Sequence, residues 1–144
     1  MRDSSQSKTF ELSDFLPFQM AVVSSRLFQT IMSDSGLQLP EWRIMMALPT
    51  NQPCSSNDLC ILTAMDAARV SRAQRRLEDL DLIDVKQDRQ DRRRLIVQLS
   101  DTGQREFDRL QTAARTVEAN MLDTMTPSER ASLQVTMSSL FSKL

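Results

Sequence analysis

Four arginines lie close together between residues 69 and 76, and their side chains are the groups in this sequence best suited to specific chemistry. Arg69, Arg72 and Arg76 follow the i, i+3, i+7 spacing of one helix face, with Arg75 beside them. A guanidinium carries a permanent charge and a planar fork of N–H donors, which suits paired hydrogen bonds to phosphate oxygens or guanine edges. A solvated charged surface would have the same composition, so the neighbouring elements must decide between these interpretations.

The segment from Asp66 to Leu80 predicts the helix that carries this arginine face. Asp66 is a good N-cap, because its carboxylate can accept hydrogen bonds from the free amides of the first turn. Val70, Ala73, Leu77 and Leu80 then recur at helical spacing on the other side. The predicted helix therefore has one apolar face for packing and one arginine face for solvent or a ligand.

A shorter helix is predicted upstream, from Ser55 to Leu62. Ser55 and Asp58 have the spacing of a capping box, although Asp is a weaker partner than Glu. Only residues 63–65 separate this helix from the arginine-bearing one. Two helices joined by so short a turn form a helix-turn-helix, in which the second helix enters the DNA major groove.

Downstream of these helices the apolar period changes from 3.6 to 2. Ile83 and Val85 alternate with polar residues, and the run 95–99 is rich in β-branched side chains. The residues between them, 88–94, hold four arginines and two aspartates and lack the Asn-Gly or Asp-Gly of a tight turn. The pattern predicts a β-hairpin with a loop longer than two residues, whose composition suits phosphate or minor-groove contact.

The stretch from Ser55 to Ser100 resembles the winged helix-turn-helix of the MarR family of bacterial transcription regulators, and the lengths of both flanks fit as well. The matching motifs, in order and at the family's spacing, are Asp58-Leu59, Val70-Ser71-Arg72, Leu77-Glu78, Leu82-Ile83, the wing residues Asp88, Asp91 and Arg93, and Thr102-Gly103. The sequence departs from the family at Thr63-Ala64, where Leu-Gly is usual, at Asp81, where Gly is usual, and at Gln90, where an arginine is usual.

The resemblance assigns DNA-binding roles to individual residues. Arg69 and Arg72 are expected at base edges, and Ala68 at a thymine methyl. The remaining predicted contacts are Ser71, Arg75 and Arg76 on the recognition helix, Ser55 and Ser56 on the first motif helix, and Arg89, Gln90, Arg92 and Arg94 on the wing. Arg93 is expected to brace the wing by pairing with Asp88.

The segments on either side of the motif predict further helices. One spans 12–35, where Pro17 either kinks the helix or marks its first turn. The next begins at Pro40, and Pro49 and Pro53 bracket the loop before the motif. After the wing, Ser100 or Asp101 is expected to cap a long helix, and a capping box at 126–129 starts the last one.

We therefore expect a single domain over 1–144 that is mainly α with a small β-hairpin wing. The resemblance implies that residues 10–37 and 101–144 are dimerisation helices around a DNA-binding lobe at 40–100. A homodimer would read a near-palindromic operator. Many family members are released from DNA by a small aromatic acid, for which Arg26, Trp42 and Arg43 are candidate ligands; a core Trp42 and solvated arginines are the alternative.

Composition limits the other classes of function. The chain has no His, no Tyr and two Gly, so it offers little from which to build a catalytic site or a phosphate loop. Its two cysteines favour packed thiols over a disulfide or metal site, with a redox sensor at Cys54 as the alternative. Residues 1–9 are polar and predict no signal peptide, and no apolar run is long enough to span a membrane, so we expect a cytoplasmic protein without a cofactor. A protein-interaction module and a non-specific architectural DNA binder remain alternatives.

Overall fold

A computed structural model describes residues 10–143 of the chain. Residues 1–9 and Leu144 lie outside the described part, and so does the prediction that residues 1–9 hold no signal peptide. A short 3-10 turn precedes six helices and three strands. In chain order these are Leu12–Asp14 (3-10), α1 Leu16–Met32, α2 Leu39–Asn51, β1 Cys54–Ser55, α3 Ser56–Thr63, α4 Ala67–Asp79, β2 Ile83–Gln87, β3 Leu95–Leu99, α5 Asp101–Asp123 and α6 Pro127–Lys143.

The first helix is shorter than the sequence predicted. Phe15 is its N-cap and Pro17 lies in its first turn, so of the two predicted roles for Pro17 the second is confirmed. The helix ends at Met32, and Gly36 follows with a φ of 67°, a left-handed conformation that favours glycine. The prediction of one helix over 12–35 was therefore wrong at both ends.

The second helix extends past a residue that was expected to end it. Pro49 lies inside α2 near its C-terminus, whereas the sequence analysis placed Pro49 in the following loop. The apolar side chains of Ile44, Met45 and Leu48 are fully buried, so packing holds the last turn despite the missing N–H. At its start, Gln38 and Glu41 form a capping box that the sequence analysis did not identify.

The wing is a three-stranded antiparallel sheet with the strand order β1-β3-β2. The predicted hairpin of β2 and β3 is confirmed, with Val85 opposite Val97, and its loop spans residues 88–94. The sequence analysis missed β1, in which Cys54 pairs with Val97 and Ser55 with Ile96. This short strand ties the start of α3 to the wing.

The core joins the helix-turn-helix to the sheet and to the flanking helices. Its buried apolar members are Ile31, Leu37, Ile44, Met45, Leu48, Cys54, Leu59, Met65, Val70, Ala73, Leu77, Leu82, Ile83, Val97, Leu99 and Leu110. The molecule is mainly helical with a small wing, as predicted. The division into a DNA-binding lobe and dimerisation helices stays a prediction.

The start of α5 packs directly on the backbone that follows α4. Ser100 is the N-cap of α5: its hydroxyl accepts from the amide of Gly103 at 2.9 Å and donates to the carbonyl of Asp81 at 2.6 Å. A Cβ on Gly103 would lie 1.8 Å from the carbonyl oxygen of Leu82, so only glycine fits there. This contact fixes the direction in which α5 leaves the sheet.

Candidate nucleic-acid interface

Asp66 starts the arginine-bearing helix as the sequence predicted. Its carboxylate accepts from the backbone amide of Arg69 at 2.8 Å. That hydrogen bond, helped by the charges of Arg69 and Arg72, lowers the pKa of Asp66 below its usual range. The carboxylate therefore stays ionised at the positive end of the helix, where a negative charge is stabilising.

The two faces of α4 separate cleanly. Val70, Ala73, Gln74 and Leu77 are buried, and of these Gln74 was not predicted. Leu80, which was predicted on the apolar face, is the C-cap of the helix and is 45% exposed. The predicted contact residues are on the exposed face: Ala68, Arg69, Ser71, Arg72, Arg75 and Arg76. Within residues 10–143, no side-chain hydrogen bond or ion pair engages the guanidinium groups of Arg69, Arg72 and Arg75.

Arg76 differs from the other three arginines. Its Nη2 donates to the backbone carbonyl of Gly36 at 2.9 Å. Arg76 lies toward the C-terminal end of α4, so its side chain reaches the turn between α1 and α2. The structure therefore shows a contact of Arg76 within the chain, and its predicted DNA contact stays a prediction.

The first motif helix begins with the predicted capping box. The amide and the hydroxyl of Ser55 both donate to Oδ2 of Asp58 at 2.7 Å, and the amide of Asp58 donates back to Ser55 at 3.2 Å. These bonds, the amide of Ser55 first, lower the pKa of Asp58. The hydroxyl proton of Ser55 is thus already used, whereas Ser56 makes no side-chain hydrogen bond within the described residues.

Two positions where the family usually has glycine adopt the left-handed conformation that glycine favours. Ala64 ends α3 with a φ of 53°, and Asp81 follows α4 with a φ of 56°. Asp accepts the left-handed conformation better than most residues do. Ala64 has no polar side chain to compensate for its strain.

The wing tip, residues 88–94, is folded by its two aspartates. Asp88 accepts from the amide of Gln90 at 2.9 Å, and Asp91 accepts from the amide of Arg93 at 3.0 Å. The predicted bracing pair of Asp88 and Arg93 was therefore wrong, because both carboxylates cap the loop backbone and bind no arginine side chain within residues 10–143. Arg89, Gln90, Arg92 and Arg93 are exposed.

Arg94 does not project freely from the wing. Its Nη2 donates to Oδ2 of Asp58 at 2.7 Å, forming an ion pair between the wing and α3. The sequence analysis expected Arg94 at DNA and missed this pair, because the two residues share no local motif. The only indication of the Arg94–Asp58 pair in the sequence was that the two residues have opposite charges, which is also true of many other pairs of residues.

Comparison with known proteins identifies the family. A model of the MarR family matches residues 35–94 of this chain. A probable transcriptional regulator from Pseudomonas aeruginosa has a solved structure that is 31% identical, with 90% of this chain and 99% of that chain covered and a TM-score of 0.79. This chain belongs to the MarR family. Proteins of this family are DNA-binding transcriptional regulators and are generally not enzymes.

Two more distant structures share the MarR fold. BpsR of Bordetella bronchiseptica, solved in a study of how 6-hydroxynicotinic acid regulates its DNA binding, is 24% identical over 91% of this chain and 96% of its own, with a TM-score of 0.77. A MarR-family regulator from Silicibacter pomeroyi is 23% identical over 93% and 92%, with a TM-score of 0.71. A search of curated protein sequences finds no match.

The three candidate effector residues of this MarR-family protein have different surroundings. Trp42 is half-buried and its ring packs edge-on against Phe28, with centroids 4.7 Å apart, while its indole N–H is buried without an acceptor in the described chain. Nη1 of Arg43 lies 3.5 Å from the carbonyl of Thr63. Arg26 is exposed on α1.

Cys54 has the environment of a packed thiol. Cys54 is buried in β1, and burial, followed by the nearby Asp58 carboxylate, raises the pKa of its thiol. A raised thiol pKa opposes redox reactivity. Within residues 10–143, no cluster of His, Cys, Asp or Glu could hold a metal ion, and no helix is long and apolar enough to cross a membrane.

Proposed function

We propose that this MarR-family protein represses transcription by binding a near-palindromic DNA operator as a homodimer. One observation carries the proposal: Arg69, Arg72 and Arg75 project from α4 without a partner in the described chain, although acidic residues are as numerous as basic ones overall. Unpaired arginines on the exposed face of a helix-turn-helix suit binding to phosphates and guanines.

The proposed contacts follow from position along the motif. Arg69 and Arg72, near the N-terminus of the recognition helix, reach base edges, and Ala68 packs on a thymine methyl. Arg75 and Ser71 contact phosphates, together with Ser56 at the start of α3. Ser55, which the sequence predicted as a further contact, has no donor left for a phosphate, because Asp58 accepts both its amide and its hydroxyl proton. Arg89, Gln90 and Arg92 at the wing tip contact the adjacent minor groove.

Exposed apolar residues support the proposed homodimer. Leu16 and Val23 on α1 are 60% and 52% exposed, and Val135 and Phe141 on α6 are 70% and 90% exposed. A monomer would leave these apolar side chains in water, and exposed apolar surface of this kind marks interaction sites. A twofold dimer through α1, α5 and α6 would bury them and would place two recognition helices about one DNA turn apart.

An aromatic acid effector is part of the proposal. The buried indole N–H of Trp42 is a donor that a ligand oxygen can satisfy, and Arg26 or Arg43 can bind a carboxylate. BpsR, which shares the fold, has its DNA binding regulated by 6-hydroxynicotinic acid. A ligand here would release DNA only by binding more tightly to the conformation that cannot bind DNA.

The test is fluorescence anisotropy with labelled DNA from upstream of the protein's own gene, in a salt series and against random competitor DNA. We expect tight binding that survives competitor and weakens steeply with salt. Adding a panel of aromatic acids, including 6-hydroxynicotinic acid, should then lower the signal for at least one compound.

Three other outcomes of this experiment would change the proposal. Equal binding to every DNA would favour an architectural role over a specific regulator. A folded dimer that fails to bind DNA at low salt would favour the protein-interaction module. Specific binding that no aromatic acid alters would remove the effector from the proposal and leave the regulator in place. The cytoplasmic location stays a prediction.

A further inference from the structure

A single carboxylate oxygen joins the wing tip to the first motif helix. Oδ2 of Asp58 accepts from Arg94 Nη2 at 2.7 Å, and it also accepts the amide and the hydroxyl of Ser55 at the same distance. Asp58 lies in the first turn of α3, and Arg94 lies at the end of the wing tip. The capping box of one element is therefore also the anchor of another.

The backbone of Arg94 closes the wing tip at the same point. Its carbonyl accepts from the amide of Asp88 at 2.9 Å, and its amide donates to the carbonyl of Asp91 at 2.9 Å. Both aspartate side chains also cap amides within the tip. The tip is thus a folded unit, and the Arg94 side chain is its one ion pair to another element within the described residues.

The wing arginines differ in what they can still bind. Arg89 and Arg92 are exposed and make no ion pair within residues 10–143. Arg94 already donates to a carboxylate, so its charge is partly neutralised before any DNA approaches. An arginine in this state contributes less to counterion release than a free one.

We propose that the Arg94–Asp58 pair positions the wing tip against α3, so that Arg92 reaches DNA while α4 occupies the major groove. Arg94 is then a positioning residue that acts through Arg92, and it is not itself a DNA contact. This inference rests on the proposed function, since it concerns how the same interface is assembled.

Wing positioning and simple charge repulsion predict opposite changes in DNA affinity when Asp58 loses its charge. Asp58 is a negative charge at a surface expected to face phosphates, so its removal by itself should strengthen DNA binding. If Asp58 instead holds Arg94 and the tip in place, its removal weakens binding. Asp58→Asn removes the charge and keeps a side chain that can still cap α3.

The control for charge is Asp79→Asn, which removes an exposed carboxylate at the end of α4 that makes no side-chain hydrogen bond within the described chain. We expect Asp58→Asn to weaken specific binding by about threefold to tenfold. Asp79→Asn should leave affinity unchanged or raise it slightly. Equal or tighter binding by Asp58→Asn than by wild type overturns the inference.

A double-mutant cycle tests whether the pair acts through the wing tip. Arg92→Ala should weaken binding strongly in the wild-type background and much less in the Asp58→Asn background, because the tip is no longer placed on the DNA. A loss of stability alone would leave the effect of Arg92→Ala the same in both backgrounds. That result would overturn the positioning role.

The behaviour of Arg94 itself gives a third readout. Arg92→Gln should reduce the slope of the salt dependence by about one phosphate contact. Arg94→Gln should reduce it by a similar amount, because the Arg92 contact is lost with the anchor, and the double change should reduce it no further. Arg94→Lys, which can still pair with Asp58, should restore most of the affinity. A slope that falls further in the double variant than in Arg92→Gln alone would make Arg94 a direct contact and overturn the proposal.

A measurement without DNA separates this inference from the proposed function. Amide hydrogen exchange in residues 88–94 of the free dimer should be faster in Asp58→Asn than in Asp79→Asn or wild type. Unchanged exchange overturns the anchor whatever the protein binds. Faster exchange in a protein that binds no DNA would keep the anchor, overturn its role in DNA binding and remove the proposed function.

Discussion

Arg72 lies in the middle of the unpaired arginines of α4, one turn beyond the first residues of the helix. We expect Arg72→Ala to weaken binding to the specific site by about 1–3 kcal/mol, because a guanidinium in this position can donate two bonds to one guanine. Anisotropy titrations with the operator and with a scrambled duplex of equal length measure both the affinity and its specificity.

Arg76→Ala is the matched control, since it removes the same charge from the same helix. Its guanidinium is held by the carbonyl of Gly36, so the expected loss is in the thermal midpoint, with a smaller effect on DNA affinity. An unchanged affinity after Arg72→Ala would remove Arg72 from the interface. An equal loss from both variants would mean that the helix contributes charge without base contacts.

The recognition helix as an element depends on the ionised N-cap. The pKa of Asp66 is lowered by the amide of Arg69, so its charge stabilises the fold above the ordinary carboxyl pKa, and this stability is lost as pH falls through the lowered value. Asp66→Asn should melt below wild type at neutral pH, and the difference should close in acid. Circular dichroism melts of wild type and Asp66→Asn over a series from pH 7 into acid test this, and a difference in midpoint that stays constant with pH would contradict the role of the charge.

The turn between α3 and α4 carries a strain that one substitution can relieve. Ala64 has a φ of 53°, a conformation that is strained for alanine and unstrained for glycine. Because glycine also adds freedom to the unfolded chain, we expect Ala64→Gly to stabilise the protein by only about 0.5–1 kcal/mol. Urea unfolding measures the change, and a loss of stability would show that the methyl group contributes packing that outweighs the strain.

Elements with local signals were predictable from the sequence, and elements made by distant contacts were not. The cap at Asp66 and the strand β2 were predicted from neighbouring residues and are confirmed. Of the two candidates for the cap of α5, Ser100 and Asp101, the structure has Ser100. The strand β1 has two residues and exists only because β3 pairs with it, so it leaves no periodic pattern.

In the candidate site, too, the contacts between distant residues could not be predicted from the sequence. Sequence spacing correctly placed the arginine face on the outside of α4, because the opposite face had to pack in the core. It could not predict that Arg76 reaches Gly36 or that Arg94 reaches Asp58, since those partners are 40 and 36 residues away. Which arginines remain free for DNA is decided by the tertiary structure.

The whole molecule has a net charge of −1, so its affinity for DNA must come from where the arginines lie and from how many recognition helices act together. A second subunit doubles the contacts on one duplex and makes the second binding event intramolecular. Dimerisation is therefore expected to control specific DNA binding as strongly as any single arginine does.

The apolar surface of α6 tests this dependence. None of its described residues is buried, and Phe141 is 90% exposed beside Leu140. The double change Leu140→Asp with Phe141→Asp would place two charges in the proposed interface, where burying them is costly. We expect a monomer by light scattering, together with loss of operator binding.

Ser138→Asp with Ser142→Asp adds the same charge to the same helix and should leave a dimer that still binds, if those polar positions face solvent. A dimer that persists after the Leu140 and Phe141 changes would place the subunit contact elsewhere, and the exposed apolar face of α6 would then need another partner.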